Sequence, residues 1–290
     1  MAATTPSCHE CIKGTIHPGL PLGKEEPLYN LPTYIVGNRT NPRGIIVIYS
    51  DVFGLSLPNN KLIADAYAQS GEWLVYLPDF FQGDPVALSV ADHLIPVDES
   101  KQSVIGKYTG LLASAPGFLL WQRRHREGPT TEVCLRFLGA LRRDQPDVKI
   151  GMVGFCWGGK YAVRAGLEGN MLDGGDGGSA TGKKKPLVDA IVALHPSHLS
   201  LPDDVESLVV PVSFGWGVSD AFVKFEQMGL VKGIHKGVEK AGRRVPAMEH
   251  REYRPGRHGF AVRGNPDDPL ERACLEDSVA QVLGWFGRWL

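Results

Sequence analysis

The residues best suited to chemistry lie in Gly154-Phe155-Cys156-Trp157-Gly158-Gly159, where an apolar run gives way to a helical pattern. A cysteine flanked by glycines at a strand-to-helix junction is the thiol counterpart of the serine nucleophile elbow. The glycines suit the tight turn, because a side chain on either flank would collide with neighbouring backbone. At a helix N-terminus the thiol also feels the positive end of the helix dipole, which favours the nucleophilic thiolate. The backbone N–H of Trp157 is then placed to donate to a developing oxyanion. The competing reading is a structural cysteine in a glycine-rich turn, since free cysteine is among the most buried residues.

Such a nucleophile needs a base and an acid that orients the base. Asp220 follows the apolar run 209–215 through Gly217-Val218-Ser219, and His258 follows the weaker run 248–253 in Arg257-His258-Gly259-Phe260. The order nucleophile, acid, histidine is the one expected for an elbow of this kind. Asp220 could instead cap the next helix, and a lone surface histidine is common. Neither reading explains why all three residues follow strands in that order. The set predicts a triad of Cys156, Asp220 and His258.

Six runs must position these residues: Gly44–Ser50, Trp73–Pro78, Val148–Gly154, Val188–Leu194, Val209–Gly215 and Met248–Tyr253. Helical patterns near 59–70, 131–143, 157–168, 222–241 and 268–289 lie between and after them. Continuous apolar runs suit strands buried on both faces, and the alternation argues a mostly parallel sheet with helices on both faces. Ligands on such sheets sit at the carboxyl ends of the strands, where all three residues fall. The chain reads as a single α/β domain over 1–290 with three irregular segments. Residues 1–30 lack periodicity and read as an N-terminal arm. Its Cys8 and Cys11 have C-x-x-C spacing, with His9 and His17 near, but no second pair completes a zinc set, so no metal is expected. Residues 82–129, punctuated by Pro and Gly, read as a cap over the site. Residues 170–186, with Gly174-Gly175-Asp176-Gly177-Gly178 and three successive lysines, offer little to bury and read as a flexible surface loop.

Several segments together carry a family resemblance. They are Val47-Ile48-Tyr49-Ser50-Asp51-Val52-Phe53-Gly54, the Pro78-Asp79 step, the elbow itself, Ser219-Asp220 and His258-Gly259-Phe260. From about Tyr34 to the C-terminus the chain resembles the dienelactone hydrolase (carboxymethylenebutenolidase-like) family, its fungal members in particular. The resemblance implies an α/β-hydrolase fold and the same Cys–Asp–His triad. It also implies a carboxylate after the strand at 45–50 that holds the cysteine's proton until substrate arrives. Bacterial members have Glu there; this chain has Asp51, one methylene shorter, which leaves that modulating role open. By the same analogy the N–H of Val52 is the second oxyanion donor. Bacterial members grip a substrate carboxylate with two arginines. The counterparts here would be Arg263, one position later after the histidine than in those members, and a cap residue among Arg123, Arg124 and Arg126, with Arg124 the candidate. An arginine cluster is more often a solvated face. Phe53, Trp121 and Trp157 either line an apolar pocket or belong to the core.

Composition narrows the remaining classes. A net charge of −1 gives no field that would recruit nucleic acid or an anionic membrane. No run reaches the ~20 apolar residues of a membrane span, and no basic segment leads into an apolar one near Met1 as in a secretory leader. Five scattered cysteines make a poor disulfide framework, so a cytoplasmic setting is expected. The sequence thus predicts a hydrolase of small carboxylic esters or lactones, without cofactor, acting as monomer or homodimer on a small molecule. The alternatives are a thioesterase or other biosynthetic acyl hydrolase with the same triad, and a catalytically silent binding protein on the same fold. Disulfide chemistry is disfavoured because no second cysteine neighbours Cys156.

Overall fold

Strand β3, Gly44–Tyr49, is buried at every position, as a strand covered by helices on both faces must be. The computed structural model describes residues 19–94, 96, 104–172 and 184–290. Around β3, the strands β1 (Lys24–Leu28), β2 (Leu31–Gly37), β4 (Trp73–Pro78), β5 (Ile150–Phe155), β6 (Ala190–Leu194), β7 (Val212–Gly217) and β8 (Met248–Tyr253) complete one eight-stranded sheet. The order is β1-β2-β4-β3-β5-β6-β7-β8. β1 and β2 are antiparallel additions at one edge, and the other pairings are parallel. This is the α/β-hydrolase fold that the motifs imply.

Two of these strands are absent from the sequence reading. Residues 24–30, expected within an arm, form the edge hairpin with β2, turning through Tyr29 and Asn30 at φ 47° and 67°. β1 carries Lys24, Glu25, Glu26 and Pro27, so it lacks the β-branched signature, and Tyr-Asn is a weaker turn signal than Asn-Gly. β7 begins three residues later than expected, at Val212, because Pro211 just before it cannot donate to the ladder. Cys8, Cys11, His9 and His17 lie outside the described residues, as does most of the 170–186 segment. The ends of that segment are joined, Leu172 and Lys185 exchanging backbone hydrogen bonds of 2.8 and 2.9 Å.

The helices are α1 (Pro58–Ala68), α2 (Leu88–Leu94), α3 (Val104–Arg124), α4 (Glu127–Asp144), α5 (Trp157–Ala165), α6 (Asp203–Glu206), α7 (Gln227–Lys240) and α8 (Pro269–Trp289). α5 and α8 cover opposite faces of β5. A Cβ on Gly151 would meet Phe286 of α8 at 2.8 Å, and one on Gly154 would meet Ala162 of α5 at 2.6 Å. Those two positions differ by an odd number, so they point to opposite sides of the strand. α8 starts cleanly because Asp268 accepts from Leu270 N at 2.8 Å and Glu271 N at 3.2 Å, with Pro269 in the first turn. Residues 82–129, expected as a cap, contain α2, α3 and the start of α4, with α2 packed on α3. Among the described residues, no helix is long and apolar enough to cross a membrane.

Candidate active site

The elbow is built by close packing. Cys156, between β5 and α5, has φ 49° and ψ −115°, a conformation that L-residues rarely adopt. It persists because the backbone around it leaves no alternative. A Cβ on Gly158 would lie 2.2 Å from Tyr49 O and 2.3 Å from Ser50 O, and one on Gly159 would lie 2.8 Å from Pro196 Cα. The end of β3 and the loop after β6 therefore press on α5 from two sides. Trp157 opens α5, where a backbone N–H has no partner within the helix.

His258, in the loop after β8, directs Nε2 to Cys156 Sγ at 3.0 Å. Its Nδ1 lies 2.8 and 2.9 Å from the two carboxylate oxygens of Asp220, in the loop after β7. Asp220 Oδ1 also accepts the N–H groups of Phe222 and Val223, both at 2.8 Å, which holds the carboxylate in place. These bonds close a turn rather than cap a helix, since α7 begins only at Gln227 with Glu226 at its N-terminal boundary. Burial opposes charge on His258, but the neighbouring Cys156 sulfur and the hydrogen bond to Asp220 prevail and raise it from 6.5 to about 10. Burial likewise opposes charge on Asp220, and its hydrogen bond to His258 keeps the carboxyl below its ordinary value.

Asp51 follows β3 and is buried. Its Oδ1 accepts Phe53 N–H at 3.1 Å and the Asn60 amide at 3.0 Å. Burial raises its pKa, against the pull of those hydrogen bonds and of the nearby Arg263 and His258 charges. Val52 is also buried and its carbonyl accepts from Val86 N at 2.9 Å, tying the loop after β3 to the start of the cap.

The residues considered for substrate fall into different settings. Phe53 is fully buried. Trp121 is buried too, donates its indole N–H to Asp84 O at 2.7 Å, and lies 5.5 Å from the ring of Trp157. Trp157 in turn stacks on Phe80 at 5.6 Å, so the cap reaches the elbow through aromatic rings. Arg124 is engaged in a bidentate pair with Asp84, at 2.6 and 3.0 Å. Arg263 is 2% exposed and close enough to Asp51 for its charge to act on that carboxyl, so it is buried rather than in the open. Phe222, more than half exposed, lies 4.9 Å from the His258 ring and is an apolar surface beside the base that the sequence reading missed.

A second omission is the loop after β6, His195-Pro196-Ser197-His198. Ser197 Oγ is 3.7 Å from Cys156 Sγ, and Ser197 N donates to Cys156 O at 2.9 Å. The signal was present, since this loop also follows a buried strand at the carboxyl edge of the sheet.

A family model for dienelactone hydrolases matches residues 31–290. Hydrolase pyvD of Aspergillus violaceofuscus is 29% identical over 283 residues, spanning 97% of this chain and 96% of that one. Dienlactone hydrolase 1 of Gibberella moniliformis is 25% identical over 289 residues, spanning 97% and 93%. The crystal structure of dienelactone hydrolase from Anabaena variabilis matches with a TM-score of 0.52 at 14% identity over 90% of this chain and 92% of that one, a likeness of fold. With residues 31–290 matched, the chain belongs to the dienelactone hydrolase family, enzymes that hydrolyse carboxylic esters and lactones.

Proposed function

We propose that this enzyme cleaves small carboxylic esters or lactones through an acyl-enzyme on Cys156, with His258 as proton carrier and Asp220 as its orienting acid. The observation that carries this reading is the continuous hydrogen-bonded line from Asp220 through His258 to Cys156, at 2.8 and 3.0 Å. The reacting form is a thiolate–imidazolium pair, joined by the His258 Nε2 to Cys156 Sγ hydrogen bond at 3.0 Å. Sγ attacks the carbonyl carbon, and the carbonyl electrons move to an oxyanion that faces the N–H groups of Trp157 and Val52. Collapse expels the alkoxide, which takes the proton from His258 Nε2. The neutral imidazole then accepts a proton from water as that water attacks the thioester, and the acid departs from a regenerated pair. Asp51 acts on this cycle through its charge, beside Arg263 and His258. A thioester substrate would follow the same steps with a thiolate leaving group.

The test is a screen of lactones, p-nitrophenyl esters and acyl thioesters against wild type and Cys156→Ala, joined to intact-protein mass after an activated ester. Acylation at Cys156 with turnover of oxygen esters supports the reading. A wild-type protein that neither acylates nor turns over any of them would mark a silent scaffold.

A further inference from the structure

We propose that His195 is a positioning residue for catalysis, whose neutral imidazole holds the Cys156 peptide in register with His258. This rests on the triad reading above. The Cys156 backbone N–H is shared between Leu194 O and His195 Nδ1, each at 3.1 Å. Since the peptide N–H can only donate, Nδ1 accepts, and the ring proton sits on Nε2. That Nε2 is buried with no hydrogen-bond partner among the described residues. The acceptor at Nδ1 is what an apolar ring of the same shape would lack, leaving the Cys156 N–H with one partner fewer.

The same ring meets His258 at 5.1 Å and Phe260 at 5.0 Å, edge-on to each. One side chain thus touches the nucleophile's backbone and the base's ring, which arrive on loops from different strands. The rest of its loop completes the grip: Ser197 N donates to Cys156 O at 2.9 Å, and Pro196 backs onto Gly159. Both backbone polar groups of the strained Cys156 are therefore held by residues 194–197. Burial, then repulsion from His258, depresses the His195 pKa to about 3, so the acceptor is available throughout the working range.

His195 itself has φ 40°, a region that asparagine tolerates better than most residues. Asparagine also places an amide oxygen near the site of Nδ1, whereas glutamine carries its amide one bond further out. We therefore compare His195→Asn, His195→Gln and His195→Phe for kcat, KM, Tm and the rate of Cys156 alkylation by iodoacetamide at neutral pH. The expected order in kcat is wild type, then Asn, then Gln and Phe together, the last two down by ~10²-fold with KM little changed, as for a misplaced reacting group. Alkylation should slow in the same order. Asn and Gln equal in kcat, or Phe within threefold of wild type, overturns the proposal, whatever the Tm. Cys156→Ala separates the two readings. If it abolishes turnover while the His195 variants are alike, only the positioning role fails; if it stays active, the triad reading fails first.

Discussion

Adding one methyl group to the elbow offers a direct measure of how tightly it is held. In Gly158→Ala the new Cβ would stand 2.2 Å from Tyr49 O, 2.3 Å from Ser50 O and 2.6 Å from Tyr49 C. Ordinary carbon–oxygen contacts are ~1 Å longer, and all three atoms are backbone, so no side chain can swing away. β3 cannot yield either, because it pairs with β4 on one side and β5 on the other, Tyr49 lying opposite Gly154. The start of α5 must move instead, by about 1 Å, carrying Cys156 and the Trp157 N–H with it. Overpacking of this kind costs roughly 1–3 kcal/mol, which lowers Tm by about 2–10 °C for a chain this size. A displacement of ~1 Å at the reacting atoms costs ~10²-fold in rate, close to 2.7 kcal/mol of transition-state stabilisation. Steady-state kinetics on a p-nitrophenyl ester should thus show kcat down ~10²-fold and KM within a few-fold. Gly284→Ala is the control, since a Cβ there meets nothing within 4 Å in the last third of α8, and it should keep wild-type kcat with equal or higher Tm. A Gly158→Ala enzyme with kcat within threefold of wild type would refute the claim that β3 backbone fixes the elbow.

Cys156→Ala should lose at least ~10³-fold in turnover, and iodoacetamide should label Cys156 ahead of Cys134 and Cys274, which are more deeply buried; retention of a tenth of the activity removes Cys156 as nucleophile. The raised pKa of His258 sets a pH window: its contribution to stability is complete below the unfolded value near 6.5 and is lost as pH rises through about 10. Acylation needs the imidazolium as acid, so kcat/KM should fall over the same upper range. Asp220→Asn should shift that limb to lower pH and reduce kcat by roughly 10²- to 10⁴-fold; a limb unmoved from wild type shows that Asp220 does not orient the base. Asp51→Asn should speed alkylation of Cys156 while slowing turnover, if the carboxylate's charge restrains the thiolate. If only Tm falls, Asp51 serves its turn through Phe53 and Asn60 alone.

The parallel core was legible because β3, β4, β5 and β6 are apolar throughout, and a run buried on both faces has no polar alternation to confuse it. Cys156 is marked by its flanking glycines at a strand-to-helix junction, and Asp220 and His258 by the rule that chemistry collects where such strands end. His195 and Ser197 obey the same rule but were overlooked, since nothing in their spacing marks a partner; their role rests on backbone contacts of Cys156 that no motif encodes. The outer strand of the edge hairpin, β1, was hidden by its composition, charged and proline-bearing where strands are usually β-branched. Arg124 shows a different limit. Its engagement with Asp84 joins residues forty apart across the cap, and only packing brings them together.

Both margins of the sheet carry charge. β1 presents Lys24, Glu25 and Glu26 with Pro27, and β8 presents Glu249, Arg251 and Glu252. Glu25 pairs with Lys61, Glu26 with Arg39, and Glu249 with Arg251. A second copy seeking to extend the sheet would have to strip water from these groups and meet a residue that cannot donate to a ladder. Growth into a ribbon of stacked molecules is thereby discouraged at each end. In concentrated solution the enzyme should resist fibril formation while it remains folded, and the hazard passes to the unfolded chain, where the apolar segments of β3 to β6 lie bare.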